Sequence, residues 1–480
     1  MPPESEFKSG SSTTTTPLSR LEWLTLIHVG VLVIATTWAF GGQADFVRMP
    51  LAVWASLSVV ITLAAAMSSE ARRSGQLRPI KWLWPLIGFN ALVLLACLNP
   101  SLREVTMDGE KLYAHVGAKP WSPSSALPAV AVEALWVFDV MWLSAFNLAL
   151  VIQQRRALRG LLLVLVINAL VLSVFGTVQK LSHATGLYFD AFPTRQPRFF
   201  ASFVYHNHWG AFMILMLAAC IGVIWHYARR MEMRDILHSP IFAGCVAIAL
   251  MAASVPLSGS RSSTLIALVL LGIVSTHLVW RVLEKNRRRR GSPTLPLSLI
   301  GVGLVLVLGA AWFVGKDTIL SRLETSQKQV AEMREIGGIG DRALLYRNTW
   351  RMAADKLWFG WGMSSYPHVF FRLYNTRDSK IDRLPVFYND AHNDWLQSFA
   401  EHGLIGSTLL ALCALAPLAA VWRRKSFGVT PAYLFIGCSL VLLYAWVEFP
   451  FGNLAVVLIW WVFFFLALQL VRLRPHEDSL

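Results

Sequence analysis

The sequence predicts an all-α polytopic membrane protein with about 12 transmembrane helices and one large helical loop outside the membrane. Apolar runs of about 20 residues recur along almost the whole chain. Of the 480 residues, 55% are hydrophobic and 15% are charged, against roughly 25% charged residues in an ordinary soluble domain. The Lys and Arg residues gather in the short connections between the apolar runs, which is typical of a membrane protein.

Twelve segments are long and apolar enough to cross a bilayer, and an even number returns both termini to one side. We expect nine spans within 21–315 and three within 402–472. Residues 1–20 and 473–480 are expected to be polar tails, the first of them disordered. The expected spans are 21–41, 50–67, 82–98, 131–152, 160–178, 208–227, 239–257, 263–282, 297–315, 402–422, 430–447 and 451–471.

Positive charge predicts the orientation of these spans. Every Lys/Arg cluster falls on one side of the twelve-span arrangement, and the positive-inside rule assigns that side to the cytoplasm. The clusters lie at 72–81, 155–159, 229–234, 281–290, 423–425 and 472–474. The basic excess, a formal net charge of +15, therefore reflects topology, and we expect no nucleic acid partner.

The opposite face carries the polar segments. They are 99–130, 179–207, 258–262 and 316–401. The last is too long to be a plain connector, so we expect a domain over the outer membrane surface with amphipathic helices near 319–336 and 342–358. All five Cys residues lie inside apolar runs, so neither a disulfide framework nor a CxxC site is expected.

Three arginines on this face are candidates for chemistry. Arg261 interrupts a hairpin of two apolar spans, where an arginine costs a few kcal/mol unless it is paired. It either snorkels to the interface or serves a function. Arg342 and Arg347 have the same two interpretations, because a solvated amphipathic helix often carries arginine.

His392 stands at or near the start of a predicted helix, with Asn393 beside it and Gly403 as its expected C-terminal cap. The histidine either belongs to a capping network or acts as a base, since a neutral imidazole can take a proton near neutral pH. The sequence leaves both interpretations open.

A metal site is not expected. His206 and His208 stand two residues apart and do not share a helix face, and neither a Cys nor a His-Glu-x-x-His pattern supports them as ligands. Asn207 is expected to cap the sixth span, with Tyr205 in the interfacial aromatic belt.

Polar and ionisable groups inside or between spans have two interpretations. Glu133, Asp139 and Asn147 fall within the fourth span, and Glu448 lies in the outer turn between the last two spans. Such groups are either functional or link helices through hydrogen bonds.

The outer clusters fit one kind of chemistry. A guanidinium group offers fork-shaped donors that match phosphoryl oxygens, so arginines suit a diphosphate, and a neutral histidine suits an incoming hydroxyl. Together they describe glycosyl transfer from a lipid diphosphate. Because diphosphate is a good leaving group, this reaction needs no general-acid carboxylate, unlike glycoside hydrolysis.

The order of the clusters resembles the O-antigen ligase and O-antigen polymerase superfamily of bacterial membrane glycosyltransferases. The likeness covers roughly residues 198–410 and depends on four motifs taken together. They are an asparagine motif before a span (Phe203, Asn207), a Ser-Arg turn (Ser260, Arg261), an arginine-led helix followed by Gly-x-Gly (Arg342, Gly360, Gly362), and His-Asn-x-x-Leu with a later Glu-x-Gly-x-x-Gly (His392, Asn393, Leu396, Glu401, Gly403, Gly406).

The resemblance implies roles for individual residues. Arg261 and Arg342 would bind the diphosphate, Arg347 would be a further member, and His392 would activate the acceptor. The supporting residues would be Tyr205, Asn207, Asn393 and Glu401. The chain carries Phe-Ala-Ser where many relatives have Gly-x-Phe before this asparagine, which leaves the role of Asn207 open.

The resemblance also implies an undecaprenyl-diphosphate-linked glycan donor, membrane lipids as surroundings, and catalysis without metal or cofactor. The protein would lie in the bacterial inner membrane with its loop domain and site on the periplasmic face. The acceptor would be lipid A core for a ligase, a second lipid-linked repeat unit for an O-antigen or exopolysaccharide polymerase, or a protein hydroxyl for a protein O-oligosaccharyltransferase. The single long outer loop late in the chain favours the ligase.

A polysaccharide or lipid transporter is the competing class. Transporters place their coupling residues near the bilayer midplane, often in two matching halves. The richest polar clusters of this chain lie instead at the outer ends of the spans, and no half-to-half symmetry is visible.

Overall fold

The computed structural model consists mainly of helices. The structure describes residues 17–73, 75–107, 110–119, 121–194, 196, 198–228, 240–289, 292–295, 297–298, 300–305, 308–309, 312, 316, 320, 341–375, 387–422 and 427–473. Within them the helices are α1 (Arg20–Trp38), α2 (Asp45–Ala55), α3 (Leu57–Met67), α4 (Ser69–Arg73), α5 (Trp84–Cys97), α6 (Pro128–Val151), α7 (Arg155–Leu181), α8 (His206–Ala228), α9 (Pro240–Leu257), α10 (Arg261–Arg289), α11 (Asp341–Asp355), α12 (Tyr366–Val369), α13 (Asp394–Trp422), α14 (Val429–Tyr444) and α15 (Leu454–Arg472).

The expected membrane architecture is confirmed. Among the described residues, nine helical segments are long and apolar enough to cross a membrane, and two shorter apolar helices lie at Ile241–Leu257 and Val429–Tyr444. These coincide with eleven of the twelve expected spans. The remaining one, 297–315, is described only in part, and its residues 300–305 are helical. The amphipathic helix expected at 319–336 lies outside the described residues, apart from residue 320.

Two expected boundaries differ from the structure. The second span is divided at Ser56 into α2 and α3. The tenth expected span began at residue 402, whereas α13 begins eight residues earlier at Asp394. The earlier start follows from a capping interaction, because Asn393 directly precedes the helix and accepts a hydrogen bond from the Leu396 amide over 3.0 Å.

One small sheet interrupts the helical pattern. Strands β1 (Leu102–Met107) and β2 (Glu110–His115) pair antiparallel within the segment 99–130. The hairpin packs on the described part of the segment 316–401, which we call the loop domain, through Arg372. The Arg372 guanidinium lies over the Tyr113 ring and donates to the Tyr113 carbonyl over 2.7 Å. The hairpin therefore belongs to the extramembrane part of the molecule.

Among the described residues, the two largest hydrophobic cores hold these elements in place. Helix α15 is almost entirely buried, and its aromatic side chains pack on α6, where Phe465 contacts Trp142 and Phe146. A second core includes Leu345 and Met352 of α11 together with Leu102 and Leu127 of the segment 99–130. The loop domain and that segment therefore share a hydrophobic core, and the placement of the loop domain on the membrane helices depends on the contacts between the two cores.

Glycines form the first contact between the loop domain and the membrane helices. Helix α13 is interrupted at Gly403, whose φ of 62° and ψ of −168° belong to a region that only glycine occupies readily. Gly360 lies directly against the Glu401 carbonyl, and Gly362 donates its amide to the same carbonyl over 2.8 Å. Beyond the interruption the Leu404 amide bonds to the Leu357 carbonyl over 2.8 Å. The Gly-x-Gly and Glu-x-Gly motifs thus meet as a close backbone junction.

We predict that Gly403→Ala destabilises the protein by at least about 2 kcal/mol, because alanine strains this backbone conformation and its Cβ would lie 2.5 Å from the Phe359 amide nitrogen. Thermal unfolding in detergent measures the effect. Gly160→Ala in α7 is the matched control, since a Cβ there meets no atom within 4 Å. An unchanged midpoint for Gly403→Ala would show that the junction tolerates a side chain.

Candidate functional site

Glu448 lies at the centre of a polar cluster that includes Arg342 and His392. Its carboxylate accepts a hydrogen bond from Arg342 Nη2 over 2.5 Å through Oε1, and its Oε2 lies 3.4 Å from His392 Nδ1. Arg342 also donates from Nη1 to the Val447 carbonyl over 3.1 Å. One carboxylate between two spans therefore brings together a cation from α11 and the histidine before α13.

The charge of Glu448 is stabilised by these partners. Its side chain is 2% exposed, and burial alone would favour the neutral acid. The hydrogen bond with His392 and the charge of Arg342 outweigh that burial and lower the pKa of Glu448. An ionised carboxylate only accepts hydrogen bonds, so the proton between the two groups belongs to His392 Nδ1, which leaves Nε2 as the basic nitrogen.

The backbone of His392 is strained and held from both sides. Its φ of 52° lies in the left-handed region, which a residue with a side chain adopts at a cost of about 1 to 3 kcal/mol. Tyr346, one turn after Arg342 on α11, donates its hydroxyl to the His392 carbonyl over 2.8 Å. On the other side Asn393 caps α13. The capping role considered for the histidine thus belongs to Asn393.

An aromatic side chain forms one wall of the site. The Phe449 ring meets the His392 ring edge to face at 4.7 Å and stacks on Tyr205 at 5.2 Å. Burial and the negative charge of Glu448 raise the pKa of Tyr205, so its phenol stays protonated. The Tyr205 hydroxyl accepts a hydrogen bond from Asn207 Nδ2 over 2.9 Å.

Asn207 does not cap its helix, contrary to the sequence-based expectation. It lies one residue inside α8, and its Oδ1 accepts a hydrogen bond from Ser260 Oγ over 2.6 Å. Ser263 Oγ lies 2.7 Å from Ser260 Oγ and donates to the Tyr444 hydroxyl over 2.9 Å. Asparagine is needed here because it bonds to both the Tyr205 hydroxyl and the Ser-Arg turn.

Arg261 follows Ser260 directly and begins α10, with an exposed side chain. The polar chain that runs from Tyr205 through Asn207 to Ser260 ties the backbone of this turn to the Glu448 cluster. The structure therefore places the Ser-Arg turn at the same end of the molecule as His392 and Arg342.

Arg347 lies apart from the cluster. It follows Arg342 by five residues on α11, which turns the two side chains about 140° apart around the helix axis. The Arg347 side chain is exposed. Tyr346, at the adjacent position, faces the cluster in its place.

The hydrogen-bond partners of Glu401 give it a structural role. Its carboxylate accepts hydrogen bonds from the amides of Ser364 and Tyr366, over 3.1 and 2.9 Å. These amides follow the Gly-x-Gly segment, so Glu401 fixes the turn that leads into α12. It supports the site from a distance, and the structure does not bring it to His392.

The other candidate groups are accounted for by local contacts. His208 lies between Gln43 Oε1 and the Phe449 carbonyl, at 3.3 and 3.2 Å. Within the part of the chain that the structure describes, no group of three or more His, Cys, Asp or Glu residues could hold a metal ion. Asp139 accepts from Asn90 over 3.0 Å, which links α6 to α5.

Two further polar groups of the fourth span differ in their surroundings. Asn147 donates to the Ser58 carbonyl over 2.8 Å and thereby links α6 to α3, while Glu133 is exposed. The central place of Glu448 could not be inferred from its sequence position. The available signal was a carboxylate in a short turn between two apolar spans, directly before Phe449 and a proline.

Comparison with known protein families gives a match to part of the chain. Residues 246–411 match the family model described as O-antigen ligase. The matched segment includes Arg261, Arg342 and His392, and Glu448 lies beyond its end. A search of curated proteins found no significant match to the chain.

We predict that Arg342→Ala lowers the free energy of unfolding by about 1 to 3 kcal/mol, because it leaves the buried Glu448 carboxylate without its cation. The effect is smaller than for a fully buried pair, since the Arg342 side chain is 52% exposed. Thermal unfolding is the measurement, with Arg347→Ala on the same helix as the control. Equal effects of the two changes would contradict the assignment of the ion pair.

Proposed function

We propose that this chain, a member of the O-antigen ligase superfamily of membrane glycosyltransferases, transfers a glycan from an undecaprenyl-diphosphate carrier to a sugar hydroxyl of lipid A core. The observation that carries this proposal is the linkage of His392 to Arg342 through the buried carboxylate of Glu448. It joins a base to a diphosphate-binding cation in one cluster.

His392 would act as the general base. With Glu448 accepting from Nδ1, the Nε2 lone pair is available to the acceptor hydroxyl. The acceptor oxygen would attack the anomeric carbon of the donor sugar while the bond from that carbon to the diphosphate oxygen breaks. The hydroxyl proton passes to Nε2, and the resulting imidazolium is stabilised by the negative charge of Glu448. This is the logic of a base oriented by a third group.

Arginines would receive the leaving group. Arg342 uses one side of its guanidinium for Glu448 and Val447, and because half of the side chain is exposed, donors remain for phosphoryl oxygens. Arg261, exposed at the start of α10, would contribute the second guanidinium. We propose that these two cations neutralise the departing diphosphate without a metal ion.

The proposed site faces the periplasm, and both termini face the cytoplasm of a bacterial inner membrane. The support is the charge distribution, because the Lys/Arg clusters of the sequence lie at the ends of spans opposite to the Glu448 turn. A glycan assembled on a lipid carrier would then meet its acceptor in the outer leaflet.

Reconstitution of the purified protein tests the function. The assay contains undecaprenyl-diphosphate-linked oligosaccharide and lipid A core, with a chelator and without added metal, and the products are resolved by gel and mass spectrometry. A glycosylated lipid A core is the expected product. Longer lipid-linked chains with untouched core would replace the ligase by a polymerase, and a glycosylated protein would replace it by an oligosaccharyltransferase. Loss of all activity in chelator would contradict metal independence.

We predict that His392→Ala and Arg261→Ala each reduce transfer by a factor of about 10² or more, because one removes the base and the other a diphosphate cation. Initial rates in the reconstituted assay measure the loss, and membrane insertion should be unchanged. Arg347→Ala, whose side chain lies away from the cluster, is the matched control. A variant with full transfer would remove its residue from the mechanism.

We predict that Glu448→Gln lowers kcat about 10- to 10³-fold while leaving KM for the donor within a few-fold, because the amide oxygen still orients His392 but no longer stabilises its charge. Steady-state kinetics separate the two parameters. Glu133→Gln, at an exposed position on α6, should leave both unchanged. An unchanged kcat in Glu448→Gln would show that the carboxylate serves only the fold.

A further inference from the structure

A second polar cluster lies at the opposite end of the helices from Glu448. Arg281 follows Arg261 by 20 residues on α10, which corresponds to about 30 Å along the helix. That distance equals the hydrocarbon thickness of a typical bilayer. If one end of α10 meets one membrane surface, Arg281 therefore meets the other.

Three helices contribute to this cluster. The Arg281 guanidinium carbon lies 5.6 Å from the centre of the Trp225 ring of α8 and 5.5 Å from that of Trp280. Its Nε donates to His277 Nε2 over 3.3 Å. His277 Nδ1 in turn lies 2.7 Å from the hydroxyl of Tyr433 on α14, and its ring stacks on Trp225 at 4.8 Å.

Among the described residues, the positive charge of this cluster has no counter-ion. Because His277 Nε2 accepts from Arg281, its proton resides on Nδ1 and the imidazole is neutral. In the part of the chain that the structure describes, Arg281 forms no ion pair with a carboxylate, and the nearby Glu284 pairs with Arg288 over 2.8 Å. Among the described residues, the partners of Arg281 are therefore neutral or aromatic.

The cluster also contains a hydrogen-bond donor that has no acceptor among the described residues. The indole N–H of Trp225 is buried and meets no acceptor among the described residues. Together with the terminal guanidinium nitrogens of Arg281, it gives a site that offers donors and a positive charge. The complementary ligand is an anion that only accepts hydrogen bonds, as a phosphate diester does.

The surroundings favour a lipid as the source of that phosphate. The Trp280 side chain is 56% exposed on a membrane-spanning helix, and tryptophan is enriched where headgroups meet the hydrocarbon region. Basic pockets between transmembrane helices are known to hold anionic headgroups. We propose that Arg281, Trp225 and Trp280 bind the phosphate headgroup of an anionic phospholipid in the leaflet opposite to the catalytic cluster.

Native mass spectrometry of the full chain in detergent tests this site. The probes are phosphatidylglycerol and phosphatidylcholine with the same acyl chains, and inorganic phosphate. We expect the wild type to bind phosphatidylglycerol in preference to phosphatidylcholine, and Arg281→Gln to weaken phosphatidylglycerol binding about fivefold. Arg288→Gln is the matched control, because this residue lies on the same helix, is exposed and is already paired with Glu284.

Three outcomes would overturn the proposal. They are equal binding of the two lipids by the wild type, equal phosphatidylglycerol binding by Arg281→Gln and the wild type, or displacement of the lipid by millimolar inorganic phosphate. Should Arg281→Gln fail to fold, Trp225→Phe provides a second comparison, since it keeps an aromatic ring at this position and removes the N–H donor. Phosphatidylglycerol binding by Trp225→Phe should then be weaker than in the wild type.

Discussion

The site depends on the burial of one carboxylate. Glu448 lies in a short turn between α14 and α15, is 2% exposed, and would be costly to keep ionised without a cation. Its cation, Arg342, comes from the loop domain, and its second partner, His392, comes from the segment that leads back into the membrane. The loop domain therefore has one favoured position on the membrane helices, in which Arg342 and His392 both reach Glu448.

A second junction also restrains the position of the loop domain. The glycine junction of Gly360 and Gly403 fixes the loop domain to α13 through backbone hydrogen bonds, while Glu448 fixes it to the turn before α15. Two attachments of different chemistry restrain rotation about either one. This restraint is what allows His392 to keep a strained backbone, which persists only where the surroundings determine it.

Sequence patterns predicted the parts of this arrangement that local chemistry dictates. The spans were predictable because lipid requires every buried backbone group to be satisfied within a helix. The central position of Glu448 in the polar cluster was not predictable, because it depends on a contact between residues 106 positions apart. The same holds for Arg342 and Arg347, which look equivalent in sequence and differ only in helix phase. Gly360 and Gly403 belonged to recognisable motifs whose purpose, close backbone approach, appears only in three dimensions.

Helix α10 connects the two polar clusters. It carries Arg261 at its first residue and Arg281 about 30 Å away, so the depth of one end of the helix in the bilayer determines the depth of the other. A headgroup bound at Arg281 would fix the depth of α10 in the bilayer. That depth sets the height of Arg261, which in the proposed reaction must match the level of the donor's diphosphate. Lipid binding on one side would thus align Arg261 with the proposed substrate on the other.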